Sequence, residues 1–156
     1  MALVFLDSNA LLKLYLPEIG ATWLRNFVVG KQIVISELAM IESATVLRRK
    51  YLEGSYTRDE AADLYEQITV DSSNYDIIPL GSKQQLNKIV DLCFSLPVGL
   101  RLRALDAIQI AVAEIVREAS VNLVPSASFT FVSADRQLVQ VAQSLGLTVE
   151  NPEDYP

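Results

Sequence analysis

The stretch Val4-Phe5-Leu6-Asp7-Ser8-Asn9-Ala10-Leu11-Leu12 constrains the fold more than any other part of this chain. An apolar run ends on a carboxylate, passes two small polar residues, and resumes with apolar residues at helical spacing. This predicts a buried strand that delivers Asp7 to its C-terminal end, with a helix starting just beyond. In an open parallel α/β sheet, ligands bind in the crevice outside the carboxyl ends of the strands. A carboxylate placed there raises the question of which other groups converge on it.

The rest of the chain alternates between the same two patterns. Ala10 to Leu16 reads as a helix that stops at Pro17, and Trp23, Leu24, Phe27 and Val28 form the buried stripe of a second that ends near Gly30. Gln32 to Ile35 is a β-branched second strand. Ser36 is placed to cap a helix over roughly 37–52, with Leu38, Ile41, Ala44, Thr45 and Leu47 facing inward. Thr57 and Glu60 match a capping box for a helix that reaches about Val70. Tyr75 to Leu80 is a third strand, and Pro79 marks an edge or a strand end. Helices follow over Ser82 to Ser95 and Ala104 to Arg117, the latter apolar on most sides and therefore deeply packed. Ser120 to Ser128, which contains Pro125, reads as a surface loop. Phe129 to Val132 is a fourth strand, Arg136 to Ser144 a helix, and Leu147 to Val149 a last short strand. Strands alternating with helices predict an α/β three-layer sandwich, with a central, mainly parallel sheet of four or five strands flanked by helices. With no repeat and no linker, residues 1–156 are expected to form a single domain.

Composition narrows the chemistry. Histidine is absent, which removes every Ser-His, Cys-His and His-metal mechanism in one step. Cys93 is the sole cysteine, so neither an internal disulfide nor a thiolate metal site can form, and its neighbours Leu92 and Phe94 suggest a core thiol. No apolar run approaches membrane-spanning length, and the N-terminus lacks the basic region of a signal peptide; a cytoplasmic protein is the expectation. Net charge is −6, so any nucleic acid must be met locally or through a cation rather than by the overall field.

Of the 19 acidic residues, Glu60, Asp63, Glu66, Glu114 and Glu118 fall on polar helix faces. Four others do not. Asp7 and Asp135 each end an apolar strand, and each also has an ordinary reading as the cap of the next helix. Asp106 lies in an apolar helix start, Leu102 to Ala111; a lone buried carboxylate there costs several kcal/mol unless it is paired or bound to a cation. An ion pair with Arg101 or Arg103 is the plain alternative. Glu42 sits mid-helix with Leu38 and Val46 four residues to either side, which turns its face inward. Four carboxylates without a histidine form the donor set that a hard cation such as Mg²⁺ or Mn²⁺ takes. Such an ion activates water and stabilises a phosphodiester transition state.

The pattern resembles the PIN domain family, and within it the VapC-like toxin ribonucleases of type II toxin–antitoxin systems. Asp7-Ser8-Asn9-Ala10-Leu11 is similar to the family's first motif, and Ser36-Glu37-Leu38 through Glu42 to Arg49 to its second. Leu105-Asp106-Ala107-Ile108-Gln109-Ile110-Ala111 resembles the third, and Phe131-Val132-Ser133-Ala134-Asp135-Arg136 the fourth. The resemblance implies an endoribonuclease with Asp7, Glu42, Asp106 and Asp135 around Mg²⁺ or Mn²⁺, and with Ser8, Asn9 and Ser133 orienting water or carboxylates. It further implies an RNA substrate, a small antitoxin protein as inhibitor, and a homodimer. Arg48, Arg49, Arg101 and Arg103 flank the acidic motifs, either as RNA phosphate contacts or as solvated and ion-paired groups. Two other functions stay in view. One is a non-catalytic PIN-type module that binds protein or RNA. The other is a phosphatase of the haloacid-dehalogenase type using Asp7 as nucleophile, although Asn9 stands where a second Asp is usual there.

Overall fold

The computed structural model of the chain describes residues 1–155. Five strands, β1 (Ala2–Leu6), β2 (Gln32–Ser36), β3 (Asp76–Ile78), β4 (Ser128–Val132) and β5 (Val149–Glu150), form one sheet in the order β3-β2-β1-β4-β5. Every pairing is parallel. β1 is therefore the central strand, and the strand order reverses on either side of it. Its residues Val4, Phe5 and Leu6 are fully buried, as a strand covered on both faces requires. The two edges are short strands, which limits the unpaired backbone they present.

Side-chain alternation divides the core into two layers. Val4, Leu6, Ile33 and Ile35 pack against α1 (Ser8–Lys13), α2 (Ala21–Phe27), α3 (Glu37–Leu52) and α4 (Arg58–Asp71), through Leu11, Leu24, Leu47 and Ile68. Phe5, Val34 and Phe131 face the other way, toward α5 (Lys83–Ser95), α6 (Ala104–Leu123) and α7 (Arg136–Ser144). The Phe5 and Phe131 rings stack there with centroids 5.7 Å apart. The expected three-layer α/β sandwich with a parallel sheet is the observed one. Among the described residues, no helix is long and apolar enough to cross a membrane.

Several local expectations are corrected. α6 does not stop at Arg117 but continues to Leu123, because nothing breaks a helix before Pro125; residues 124–127 are all that remains of the expected loop. α3 buries Leu38, Ala39, Ser43 and Leu47, whereas Ile41, Ala44 and Thr45 face solvent. Its inward stripe thus follows a spacing of four from Ala39. Ser36 begins α3, but its side chain makes no capping bond. Cys93 is exposed, not a core thiol. The inward face of α5 runs through Gln85, Ile89 and Leu92, and a residue next to Leu92 in sequence points about 100° away around a helix. Glu114 is buried rather than solvated. Burial raises its carboxyl above the usual range, and Lys88 at 3.9 Å and Arg117 at 3.8 Å partly offset this.

The residues after β5 return to the loop between α1 and α2. Lys13, with a side chain only 4% exposed, reaches the Glu153 carboxylate at 3.0 Å and the Ile19 carbonyl oxygen at 3.0 Å. Gly20 has φ +78°, and a Cβ there would lie 2.1 Å from the Pro152 carbonyl oxygen. Gly20→Ala is expected to lower stability by about 3 kcal/mol or more, since the left-handed conformation costs an L-residue about 1–2 kcal/mol before any clash. Gly30→Ala, with φ +72° but open space around it, isolates the backbone component. Urea midpoints of the two variants check this; equal losses would mean that the Pro152 contact is soft.

Candidate active site

The site forms where β1 and β4 end side by side. Leu6 pairs with Val132, and the Asp7 N–H donates to the Val132 carbonyl oxygen at 3.1 Å. Asp7 and Ser133 consequently leave the sheet together at its centre. Asp7 is 3% exposed and Ser133 is fully buried. Asp7 Oδ1 accepts from the Ala10 N–H at 2.7 Å, and Oδ2 accepts from Ser133 Oγ at 2.5 Å. Asp7 is thus the cap of α1, yet capping does not exhaust it. Burial pushes its carboxyl up to about 7; the Ser133 and Ala10 hydrogen bonds oppose the rise, and the charges of Glu42 and Asp135 add to it.

A second group lies beside it. Ser8, in the first turn of α1, donates to Glu42 Oε2 on α3. Gln109 of α6 donates through Nε2 to the same Glu42 oxygen at 3.2 Å and to Ser8 Oγ at 2.9 Å. Its Oε1 accepts from Ser36 Oγ at 2.8 Å. Ser36, which makes no capping bond to α3, thus directs its hydroxyl to Gln109. Gln109 is 2% exposed, and it ties β2, α1, α3 and α6 together at one point.

The third group is at the rim. Asp135 caps α7, with Oδ1 accepting from the Gln137 N–H at 2.9 Å and the Leu138 N–H at 3.3 Å. Its backbone N–H donates to Ser133 Oγ at 3.0 Å. Asp106, in the first turn of α6, receives Arg103 Nε at 2.8 Å and Nη2 at 3.3 Å. The same Nη2 reaches Asp135 Oδ2 at 2.8 Å. One guanidinium therefore spans two of the four carboxylates.

All four acids singled out in the sequence lie around the C-terminal ends of β1, β2 and β4. Ser8 and Ser133 each hold one of them. Asn9 is exposed and outside these hydrogen-bonded groups. Gln109 was overlooked, because a single amide within an apolar helix reads as a surface residue. The signal was its spacing, one helical turn after Asp106 and between Ile108 and the fully buried Ile110. Of the flanking arginines, Arg48 and Arg101 are exposed, Arg49 lies 3.9 Å from Glu53, and Arg103 is the one within the site.

Among the described residues, no three or more His, Cys, Asp or Glu side chains are arranged to hold a metal ion. The donor set nonetheless fits a hard divalent cation in its chemistry. It offers only oxygens, Asp7 lacks a positive partner, and a stand-in cation, the Arg103 guanidinium, already sits on Asp106 and Asp135.

No curated protein matches the chain significantly. Solved structures do. The chain is similar to VapBC2 from Rickettsia felis bound to a promoter DNA fragment, with 16% identity, TM-score 0.64, and 96% of this chain and 98% of that one covered. It is also similar to FitAcB from Neisseria gonorrhoeae, with 14% identity, TM-score 0.69 and coverage of 96% and 97%. A toxin–antitoxin complex from Klebsiella pneumoniae matches with 16% identity, TM-score 0.62 and coverage of 96% and 97%. At these identities the likeness is one of fold. The sequence model of the PIN domain matches residues 4–144, nearly the whole described chain, so this protein belongs to the PIN domain family.

Proposed function

We propose that this protein is a metal-dependent endoribonuclease, the toxin of a toxin–antitoxin pair. The observation that carries the reading is Asp7: a carboxylate buried at the end of the central strand, its carboxyl pushed up to about 7, with Glu42 and Asp135 adding negative charge. Such a cluster calls for a cation. Asp7, Glu42, Asp106 and Asp135 would hold Mg²⁺ or Mn²⁺, which when bound supplies an activated water and charge stabilisation at a phosphodiester.

The chain's own groups do the positioning. Ser133 and the Ala10 N–H fix both Asp7 oxygens. Gln109 and Ser8 orient Glu42. A nucleophilic role for Asp7, as a phosphatase requires, is disfavoured because the carboxyl is buried with both oxygens engaged. An antitoxin partner is supported by the structural likeness to the toxin–antitoxin complex from Klebsiella pneumoniae, and the reading makes that partner the inhibitor. The reading further assigns a single domain, a cytoplasmic setting, a homodimer and RNA rather than DNA as substrate.

Cleavage of single-stranded RNA and DNA oligonucleotides tests it. RNA is expected to be cut with Mn²⁺ or Mg²⁺, spared in excess EDTA, and cut again when metal is restored, while DNA stays intact. Equal cleavage in EDTA overturns the metal requirement. Metal binding without cleavage of either polymer leaves the non-catalytic PIN module as the function.

A further inference from the structure

Arg103 sits on the carboxylates that the proposed cation would use, and this proposal rests on that reading. Its fork takes both oxygens of Asp106 and one of Asp135, at 2.8, 3.3 and 2.8 Å. The two acids come from different helix starts, 32 residues from Arg103 in the case of Asp135. Asp135 has little to spare. Its Oδ1 is committed to the N–H groups of Gln137 and Leu138, so Oδ2, the oxygen on Arg103, is the one left for a cation. A cation that recruits Asp135 and Asp106 must share or take those oxygens, and the guanidinium's positive charge opposes it at close range.

Arg103 is also built to leave. Its side chain is 69% exposed, against 18% for Asp106 and 22% for Asp135. It lies outside α6, at the extended residue that precedes the helix, and makes no side-chain capping bond. Exposed ion pairs of this kind are individually weak, so the hold is exchangeable rather than permanent.

We propose that Arg103 is a tethered counter-cation: it bridges Asp106 and Asp135 and offsets part of their charge in the metal-free protein, and it is displaced from both when a divalent cation binds. It acts as an internal competitor that sets the metal concentration at which the site fills.

Calorimetric titration of the full chain with Mn²⁺ tests this, comparing wild type, Arg103→Gln and Arg103→Lys. Arg103→Gln is expected to bind Mn²⁺ about three- to tenfold more tightly, the range set by two exposed ion pairs. Arg103→Lys, which keeps the charge but not the fork, falls between. Thermal melts give a second readout independent of activity: Arg103→Gln melts below wild type without metal, and saturating Mn²⁺ closes most of that gap. Wild type and Arg103→Gln binding Mn²⁺ with equal affinity, or the variant more weakly, overturns the exchange while leaving the metal site intact. Absence of Mn²⁺ binding by all three proteins overturns the metal-dependent reading as well.

Discussion

Asp7→Asn is expected to stabilise the metal-free protein at pH 8 while abolishing its nuclease activity. The Asp7 carboxyl rises from 3.8 to about 7 on folding, chiefly through burial. The folded state therefore holds an extra proton between these values, and stability falls as pH climbs through the window, levelling off above about 7. Roughly three pK units amount to about 4 kcal/mol by which ionised Asp7 weakens the metal-free fold at pH 8. Asparagine removes that charge at little geometric cost. Its Oδ1 can keep the Ala10 N–H and its amide can donate to Ser133 Oγ, but the buried Ser133 hydroxyl then loses its acceptor, which offsets about 1–3 kcal/mol of the gain. Urea denaturation at pH 8 should favour the variant by about 1–3 kcal/mol, and the difference should shrink toward pH 4. Mn²⁺ should raise the melting temperature of the wild type at pH 8 and leave the variant unmoved. RNA cleavage should drop by more than about a hundredfold, the upper range for merely supporting residues of a metal site. A variant less stable than wild type at pH 8 would show that Asp7 is not an uncompensated charge.

Gln109→Leu has the opposite sign in stability. Leucine fills a similar volume but cannot serve the three polar groups that meet Gln109. The Ser36 hydroxyl, fully buried, loses its acceptor, and Ser8 and Glu42 lose a donor. Each buried group left unpaired costs about 1–3 kcal/mol, so a loss of about 2–4 kcal/mol is expected. Adding Ser36→Ala to Gln109→Leu should recover part of it, because the orphaned hydroxyl is then gone. Chemical denaturation of the single and double variants measures this coupling. A Gln109→Leu variant within about 0.5 kcal/mol of wild type would mean that the amide is incidental.

The fold and the acidic positions were legible for one reason: a parallel sheet writes itself as apolar runs, and whatever follows such a run lands at the same end of the molecule. Asp7 and Asp135 were found this way, and Val4 to Leu6 was legible as a buried strand. Glu42 was less direct. Its neighbours Leu38 and Val46 marked an inward face, although Ile41 and Thr45, read the same way, point to solvent. What stayed hidden depends on partners far along the chain. Nothing near Ser36 indicates that its hydroxyl goes to Gln109, 73 residues on, instead of to its own helix. Arg103 beside Asp106 was visible as a pair, but its second hold on Asp135 is tertiary. Glu114 and Cys93 were misplaced because burial on a helix is decided by the three- and four-residue neighbours, not the adjacent ones.

The bond between Ser133 and Asp7 closes a loop of 126 residues, and that between Glu153 and Lys13 one of 140. A nascent chain leaving the ribosome therefore carries Asp7, Glu42 and Asp106 without the groups that orient Asp7, until β4 has emerged and paired with β1. Fragments that end before residue 133 lack the hydroxyl that holds Asp7, and on the proposed reading they are expected to leave RNA uncut.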